Sequence, residues 1–421
     1  MIRYILLVLL FSLKISAQEK FELSREEAEA IFINNNLLLI AEKLNIESQR
    51  AEVIQARLWP NPEFSINEIN FWKTTGVESS PPIFGKFGRD QQFAFEINQL
   101  IQTAGKRKKL IALEEIEVSK TEQFFEDLLR NLKFELRSQL TDFQFNQLLI
   151  DVHQNLIENI SVLIQAYQNQ LERGSVSGAE LTRLKAQEIL IKRQLLDLKQ
   201  EKKQIQKELK HLLGVNPTLE IEITNEGFVK PIEMYENILL EQLMEQARVN
   251  RPDYQLALLE EEYSHQLLSF EKSKRIPDLT FGINYDRNGS TMLDFVGFGV
   301  SFDLPLFDRN QGNIQKAEIQ ISQAEILKKH TLLKIENEIF QTHRNLLENI
   351  EFMQSIDEKY ENNLDELLEN YTKNYRSRNL NMLEYFDFLE VYLENKIILI
   401  EAQKEFNHIV EELNYLTGID I

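Results

Sequence analysis

The chain has 421 residues, no cysteine and a formal net charge of −20 at pH 7. The lack of cysteine excludes disulfides and thiolate metal sites, and we expect no lipid anchor at a processed N-terminal cysteine. The negative charge argues against nucleic acid as a partner, because phosphate backbones attract the opposite sign.

Residues 1–17 have the layout of a secretory signal peptide. Arg3 supplies the positive charge, a short apolar stretch runs from Ile5 to Leu13, and a small-residue cleavage point follows near Ala17. A short buried N-terminal helix is the alternative. A membrane-spanning helix needs roughly 18 or more apolar residues, and no other segment has them. We therefore expect an exported protein that can enter a membrane only as strands.

Two segments of the first part of the chain predict strands. Residues 91–100 alternate apolar and polar side chains, which is the period of a strand with two unlike faces. Residues 63–72 alternate less regularly, because the apolar side changes between Ile66 and Ile69, and a β-bulge would explain the change. Roughly ten-residue alternating segments with outward aromatics are typical of outer-membrane strands.

A long helical hairpin follows these strands. No glycine lies between Gly105 and Gly174, and no proline lies in this stretch; both residue types disfavour helix interiors. Apolar residues recur every three or four positions, as in an amphipathic helix. The pattern predicts a helix of about 65 residues, or roughly 100 Å, a turn at 173–179 and a return helix that ends before Gly214.

The segment 215–240 interrupts this regularity with Pro217, Gly227 and Pro231. Residues 219–223 of this segment alternate between apolar and acidic side chains. We interpret the segment as a linker that forms a small mixed girdle around the helices.

The rest of the chain repeats the order of the first part. The first repeat, 18–214, contains a helix, a strand pair and the long hairpin. The second repeat, 241–421, contains a helix, alternating segments at 279–286 and 295–304, and a second long hairpin that turns at 376–381.

Three pairs of matching segments carry this duplication, at the helix-to-strand junction, in the return helix and at the end of each repeat. They are Arg57-Leu58-Trp59-Pro60-Asn61-Pro62 and Lys274-Arg275-Ile276-Pro277-Asp278-Leu279, Glu180 and Glu384, and Leu212-Leu213-Gly214 and Leu416-Thr417-Gly418. The last two pairs share an offset of 204 residues. That offset locates the second hairpin turn, which has no glycine of its own.

Four strands cannot close a barrel. Inside lipid only helices and closed barrels satisfy their backbone hydrogen bonds, and single-chain barrels have about eight strands or more. We therefore expect several protomers to share one barrel. A dimer would supply eight strands and a trimer twelve, and the pattern leaves both open.

The order of these features resembles the TolC family of outer-membrane efflux proteins. The resemblance rests on the two repeats, on the proline at each helix-to-strand junction and on Leu-X-Gly at the end of each repeat. The run from Leu304 to Asp308, followed by Gly312, resembles the metal- and drug-efflux branches of that family.

The resemblance implies a mainly α protein with membrane β-structure. It implies a homotrimer whose twelve-stranded β-barrel continues into a periplasmic α-helical tunnel, in the outer membrane of a Gram-negative cell. The implied partners are a periplasmic adaptor (membrane fusion) protein, an inner-membrane pump of the RND type and outer-membrane lipid.

Family members close the tunnel where polar residues of the inner hairpin bond to acidic residues of the outer one. Glu180 falls on the acidic outer position and Tyr375 on the tyrosine that reaches it. Glu384 and Asp387 match two carboxylates that face the lumen. The family's companion arginine falls on Leu380 here, and two nearby arginines are candidate replacements. The lumen or gate candidates are Glu180, Tyr375, Arg376, Arg378, Glu384 and Asp387.

Adaptor contact is expected at the same turns, because they are the most distal exposed points of the implied tunnel. The candidates are Arg173, Gly174, Ser175, Ser177, Asn379 and Asn381. The alternative for the lumen or gate candidates is that these are solvated charges at helix ends, which are common on long hairpins.

No motif points to catalysis or to a bound cofactor. The six histidines are scattered along helices without the convergent spacing of a zinc site. The leading hypothesis is a channel that passively conducts ions or small molecules from periplasm to exterior when an adaptor and pump engage it. The alternative is an exported periplasmic coiled-coil scaffold with no transport role.

Overall fold

The computed structural model describes residues 20–67, 69, 70, 72, 81–89, 91–289 and 292–421. The expected signal peptide, 1–17, lies outside these residues. In chain order the elements are β1 (Lys20–Leu23), α1 (Arg25–Asn35), α2 (Leu37–Ala56), β2 (Glu63–Asn67), β3 (Phe93–Ile101), α3 (Lys106–Glu172), α4 (Gly178–Leu213), β4 (Glu220–Ile223), a 3-10 turn (Ile232–Met234), α5 (Leu240–Asn250), α6 (Pro252–Ser273), β5 (Leu279–Arg287), β6 (Asp294–Ser301), α7 (Gln311–Gln354), α8 (Glu358–Arg376) and α9 (Met382–Thr417).

The described residues divide into two compact units. The hairpin unit comprises residues 20–42, 125–252 and 333–421, and the sheet unit comprises residues 43–124 and 253–332. Each unit draws on both sequence repeats, so the compact units do not coincide with the repeats.

The hairpin unit contains the helical hairpins and one small sheet. β1 pairs in parallel with β4, in the register Leu23 to Ile223, and both strands are only four residues long. A core forms beside them from α1, α3 and α4, in which Phe32, Leu136 and Leu209 are fully buried. The amphipathic stripe of α3 is thus the face that packs.

The glycine that ends each repeat lies against a break in a helix. Gly214 and Gly418 cap α4 and α9 in the left-handed conformation, with φ of 62° and 78°. A Cβ on Gly214 would lie 2.6 Å from the carbonyl oxygen of Asn35, and one on Gly418 would lie 2.8 Å from that of Asn250. Only glycine permits both the conformation and the close approach.

The residue at each break also binds the end of the return helix. The Asn36 side chain accepts the N–H groups at the start of α2 and donates to the Leu212 carbonyl at 2.9 Å. Arg251 donates to the Leu416 carbonyl at 3.5 Å and pairs with Glu338 at 3.0 Å. The two repeats therefore end in equivalent contacts.

The sheet unit contains one antiparallel sheet with the strand order β2-β3-β5-β6. The hairpin β2–β3 of the first repeat and the hairpin β5–β6 of the second meet at the β3·β5 pair. Within the described residues, β2 and β6 have no neighbour on their outer sides. The sheet is open in a single chain, so a closed barrel belongs to the proposals below.

The register gives the sheet two unlike faces. One cross-strand row consists of apolar side chains, and the next row consists of polar or small residues. The apolar row is Ile66, Phe95, Tyr285 and Val296; the polar row is Ser65, Glu96, Asn284 and Gly297. Successive rows face opposite sides, so one face of the whole sheet is apolar. Phe298 on that face is 83% exposed.

Charged contacts connect the sheet to the helix that follows it. Asp278, just before β5, accepts the Thr103 backbone N–H at 2.8 Å and pairs with Lys106 at 2.7 Å. The Thr103 hydroxyl donates to the Pro277 carbonyl at 2.6 Å. These contacts place the exit of β3 beside the entry of β5.

The strands differ at their ends from the expected ranges. The first strand spans residues 63–67 rather than 63–72, and residues 68 and 71 lie outside the described part. The last strand ends at Ser301 rather than 304, because β5 begins at Leu279 and offers almost no strand beyond that point for pairing. The middle strands span residues 93–101 and 279–287.

The second long hairpin is interrupted where the sequence predicts a continuous helix. α7 ends at Gln354 and α8 starts at Glu358. The Ser355 hydroxyl donates to the Phe352 carbonyl at 2.6 Å. A serine side chain that takes a local carbonyl offers the backbone an alternative to the helical pattern, and this one lies at the break. Among the helices of the described residues, none combines the length and the apolarity needed to cross a bilayer.

Candidate functional site at the hairpin turns

The first hairpin turn is short and closed by glycine and serine. α3 ends at Glu172, Gly174 adopts φ of 67°, and α4 starts at Gly178. The Ser177 hydroxyl accepts the Glu180 N–H at 3.2 Å, and the Glu180 carboxylate accepts the Ser177 N–H at 3.2 Å. This reciprocal pair is a capping box.

The second turn has the same design with different residues. Arg378 takes the left-handed conformation, with φ of 64°. The Asn381 side chain accepts the Glu384 N–H at 3.0 Å, and the Glu384 carboxylate accepts the Asn381 N–H at 3.1 Å. Glu180 and Glu384 therefore match in role as well as in sequence.

Three tyrosines stack between the two hairpins just beside the turns. The ring of Tyr375 lies 4.5 Å from that of Tyr385 at an interplanar angle of 3°, and 5.3 Å from that of Tyr167 at 14°. Tyr375 is 2% exposed and Tyr385 is fully buried. Such offset aromatic contacts add about 0.5–1.5 kcal/mol per pair beyond the buried area.

The hydroxyl groups of this stack differ in their partners. The Tyr385 hydroxyl lies 3.3 Å from the Thr372 hydroxyl. The Tyr375 hydroxyl is buried and has no hydrogen-bonding partner among the described residues. Burial raises the pKa of Tyr375 above its ordinary value and that of Tyr385 to about 12, because desolvation disfavours the phenolate. Both therefore remain neutral at physiological pH.

Arg378 connects the second turn to the first. Its guanidinium donates to the Gln170 side-chain oxygen at 3.1 Å and to the Ser175 carbonyl. We name the group Tyr167, Gln170, Ser175, Tyr375, Arg378 and Tyr385 the hairpin-tip cluster. It joins the two hairpins of one chain.

The structure brings together some of the candidate residues and separates others. Tyr375 and Arg378 belong to the hairpin-tip cluster, whereas the carboxylate of Glu180 binds its own cap rather than Tyr375. Arg376 and Asp387 are exposed. Of the adaptor candidates, Ser175 contacts Arg378, Ser177 and Asn381 are helix caps, and Arg173, Gly174 and Asn379 are exposed.

Sequence reasoning did not place Tyr167 and Tyr385 at this site. The three tyrosines lie on three different helices, and only the antiparallel packing of these helices brings their rings together. The available signal was the density of aromatic residues around the second turn, with Tyr371, Phe386 and Phe388 beside them. Among the described side chains, no group of three or more His, Cys, Asp or Glu is placed to hold a metal ion.

Solved structures with the same architecture identify the fold. That of CusC, described as undergoing transmembrane channel formation, has a TM-score of 0.73 and 17% identity, and covers 94% of this chain and 92% of CusC. The Campylobacter jejuni CmeC outer membrane channel has a TM-score of 0.71 and 14% identity, and covers 94% and 85%. The fold is that of the TolC family of outer-membrane channels. The family resemblance inferred from the sequence is thus confirmed.

One curated protein is similar to this chain in sequence. The cobalt-zinc-cadmium resistance protein CzcC of Cupriavidus metallidurans is 22% identical over 307 residues, which is 72% of this chain and 68% of CzcC. No family model matches the chain.

Proposed function

We propose that this protein is the outer-membrane channel of an efflux system, through which ions or small molecules pass from the periplasm to the exterior. The observation that carries the proposal is the sheet: one face is apolar and exposed, and both edges lack a neighbour among the residues that the structure describes. An exposed apolar sheet face is costly in water and suits lipid. The likeness to channel structures over 94% of the chain supports the same conclusion.

The open sheet makes the channel a shared structure. Four strands leave two unpaired edges, and lipid does not tolerate unpaired backbone groups. Three copies would supply twelve strands, enough for a barrel with a passage. The homotrimer is therefore the form in which the proposed channel acts.

The driving force comes from partners. A passive channel needs no site of its own for nucleotide or redox chemistry. A periplasmic adaptor that binds the hairpin turns, and an inner-membrane pump of the RND type, are the proposed partners. The turns present Arg173 and Asn379 to solvent, which makes them accessible to such an adaptor.

Divalent metal cations are the proposed cargo. The likeness to CzcC, a cobalt-zinc-cadmium resistance protein, supports this class. The net charge of −20 also suits a cation pathway, because carboxylates attract cations and repel anions.

The hairpin-tip cluster is the proposed closed gate. Arg378 and the tyrosine stack connect the two hairpins of each protomer, so an adaptor that separates the hairpins must break these contacts. The exposed carboxylates of Glu384 and Asp387 are placed just beyond the turn, where they would select cations at the entrance.

Two measurements test the function. The purified protein, reconstituted in a planar lipid bilayer, should conduct ions, and outer membranes should contain it with heat-modifiable gel mobility. A cell that lacks the gene should become more sensitive to zinc, cobalt or cadmium. A wholly soluble periplasmic protein without conductance would refute the channel and favour the coiled-coil scaffold; conductance without altered metal sensitivity would refute only the cargo.

A further inference from the structure

A cavity lies in the hairpin unit beside the break between α7 and α8. Its volume is about 550 Å³, which is within the range of about 300–1,000 Å³ that small-molecule sites occupy. Its walls come from α3, the segment 228–232, the break at residues 355–357 and the helices α8 and α9. The cavity shares no residue with the hairpin-tip cluster, so it is a separate feature of the same unit.

Most of the side chains that line the cavity are apolar. At its inner end Phe228 is 3% exposed and Ala402 is 8% exposed, whereas Val229 at the rim is 75% exposed. The other apolar side chains of the walls include Leu148, Ile232, Met353, Ile356 and Leu399. A ligand with an apolar body would remove this surface from water, which is favourable.

The polar side chains of the α8 and α9 wall satisfy one another. Asp365 accepts the Tyr392 hydroxyl at 2.7 Å and pairs with Lys396 at 3.0 Å. The Lys396 side chain is 14% exposed, and the carboxylate beside it neutralises its charge. This wall therefore offers no unpaired charge to a ligand.

Asp151 on the α3 wall is the charge that remains. Among the described residues it accepts no hydrogen bond and forms no ion pair. Lys202 acts on it only from a distance, because the Lys202 ammonium pairs with Glu222 at 3.3 Å. Partial burial raises the pKa of Asp151 above its ordinary value, and Glu222 acts in the same direction. A partly desolvated carboxylate without a counter-charge, at the wall of an apolar cavity, is suited to bind a ligand cation.

We propose that this cavity binds an organic monocation with an apolar, aromatic body, whose ammonium group lies against Asp151. The site lies within the hairpin unit of one chain and does not depend on the proposed channel or its cargo. An anion would meet the two carboxylates Asp151 and Asp365. A neutral ligand would take water from Asp151 without replacing it by a counter-charge. A metal ion needs several oxygen ligands, and the described part of the chain holds no group of three or more His, Cys, Asp or Glu placed for one.

Tryptamine and tryptophol are a matched pair of probes for this site. Both carry an indole ring on the same short chain, which ends in an ammonium group in tryptamine and in a neutral hydroxyl in tryptophol. Indole-3-acetate supplies an anion with the same ring. Isothermal titration calorimetry on the purified protein in detergent measures the affinity for each probe. Partition of a probe into the detergent is common to all variants, so it cancels when variants are compared.

Tryptamine should bind the wild-type protein most tightly of the three. Asp151→Asn keeps the shape and removes the charge, so it should weaken tryptamine binding about fivefold, the upper end for an ion pair that water still reaches. Tryptophol binding should not change. The matched control Glu158→Gln neutralises an exposed carboxylate about two turns further along α3, and it should change the affinity for neither probe.

Filling the cavity tests its apolar walls separately from the charge. Ala402→Phe places a ring in the space, so it should weaken tryptamine and tryptophol together, by about tenfold. Val229→Phe adds bulk at the exposed rim, where folding is not at risk, and should weaken both probes as well.

Three outcomes would overturn the proposal. Equal affinity for tryptamine in the wild type and in Asp151→Asn would show that the carboxylate does not bind the ligand. Tightest binding of indole-3-acetate would assign the cavity to an anion at Lys396. A wild-type protein with a native circular dichroism spectrum that binds none of the probes would refute the site itself. None of these results depends on ion conductance, so the channel is tested independently.

Discussion

Alanine in place of Gly214 should loosen the end of the first repeat. The substitution imposes the left-handed conformation on a residue with a Cβ, at a cost of about 1–2 kcal/mol. It also places that Cβ 2.6 Å from the Asn35 carbonyl oxygen. The obstacle is backbone, which cannot swing away as a flexible side chain would, so overpacking adds about 1–3 kcal/mol. The total local cost is then about 2–5 kcal/mol.

Gly174 provides a matched control for this substitution. Its φ of 67° is close to that of Gly214, but a Cβ there meets no atom within 4 Å. Gly174→Ala should therefore cost only the conformational part, about 1–2 kcal/mol. Gly418→Ala, with the Asn250 carbonyl at 2.8 Å, should behave like Gly214→Ala.

Amide hydrogen exchange is the suitable assay, because it reports local opening rather than a single unfolding transition of a large assembly. In Gly214→Ala the last turn of α4 and the first turn of α2 should exchange faster, by about thirtyfold to several thousandfold. If Gly214→Ala accelerates exchange no more than Gly174→Ala does at its own turn, the close approach is not what requires glycine.

Three further predictions concern charge and the gate. Glu411 is 5% exposed and pairs with Arg25, Arg137 and Lys230, so Glu411→Gln should destabilise the hairpin unit by about 3–5 kcal/mol. Burial opposes ionisation of Glu411, but these cations and hydrogen bonds hold its pKa below the ordinary value. The stabilisation that the carboxylate contributes is therefore present above about pH 4.5 and lost on further acidification. The variant should lose less thermal stability than the wild type between pH 5 and pH 3. Tyr375→Phe should leave the channel closed in bilayers, because the hydroxyl has no hydrogen-bonding partner among the described residues, whereas Tyr375→Ala should raise conductance without an adaptor. Opening by the phenylalanine variant would show instead that the hydroxyl binds a neighbouring protomer. Removing the carboxylates of Glu384 and Asp387 together should lower cation selectivity in single-channel recordings. The control Glu369→Ala, which removes an exposed carboxylate from α8, should not lower it. Equal effects of the two changes would show that Glu384 and Asp387 do not line the entrance.

The sequence locates those parts of the fold that repeat a local pattern. Alternation over seven or more residues identifies β3, β5 and β6 closely, since each has one apolar face along its whole length. The fixed offset between Gly214 and Gly418 is equally informative, because the same close approach of backbone requires glycine twice.

The features of the fold that the sequence does not predict depend on contacts between distant segments. β1 is four residues long and becomes a strand only by pairing with β4. The helix break at Asn36 is stabilised by the Leu212 carbonyl, 176 residues away in the chain. Tyr385 joins the stack for the same reason. Neither propensity nor periodicity contains this information, because tertiary contacts decide these positions.

The unequal roles of the four strands also affect the order of assembly. Pairing of β3 with β5 occurs within one chain, so its rate does not depend on protein concentration. In the proposed trimer, completion of the β2 and β6 edges requires an encounter between chains, and its rate would rise with their number in the membrane. Until that encounter each newly exported chain exposes two edges that other strands can join, so substitutions in β3 should act on folding yield, whereas substitutions in β2 should act on the lag before assembly.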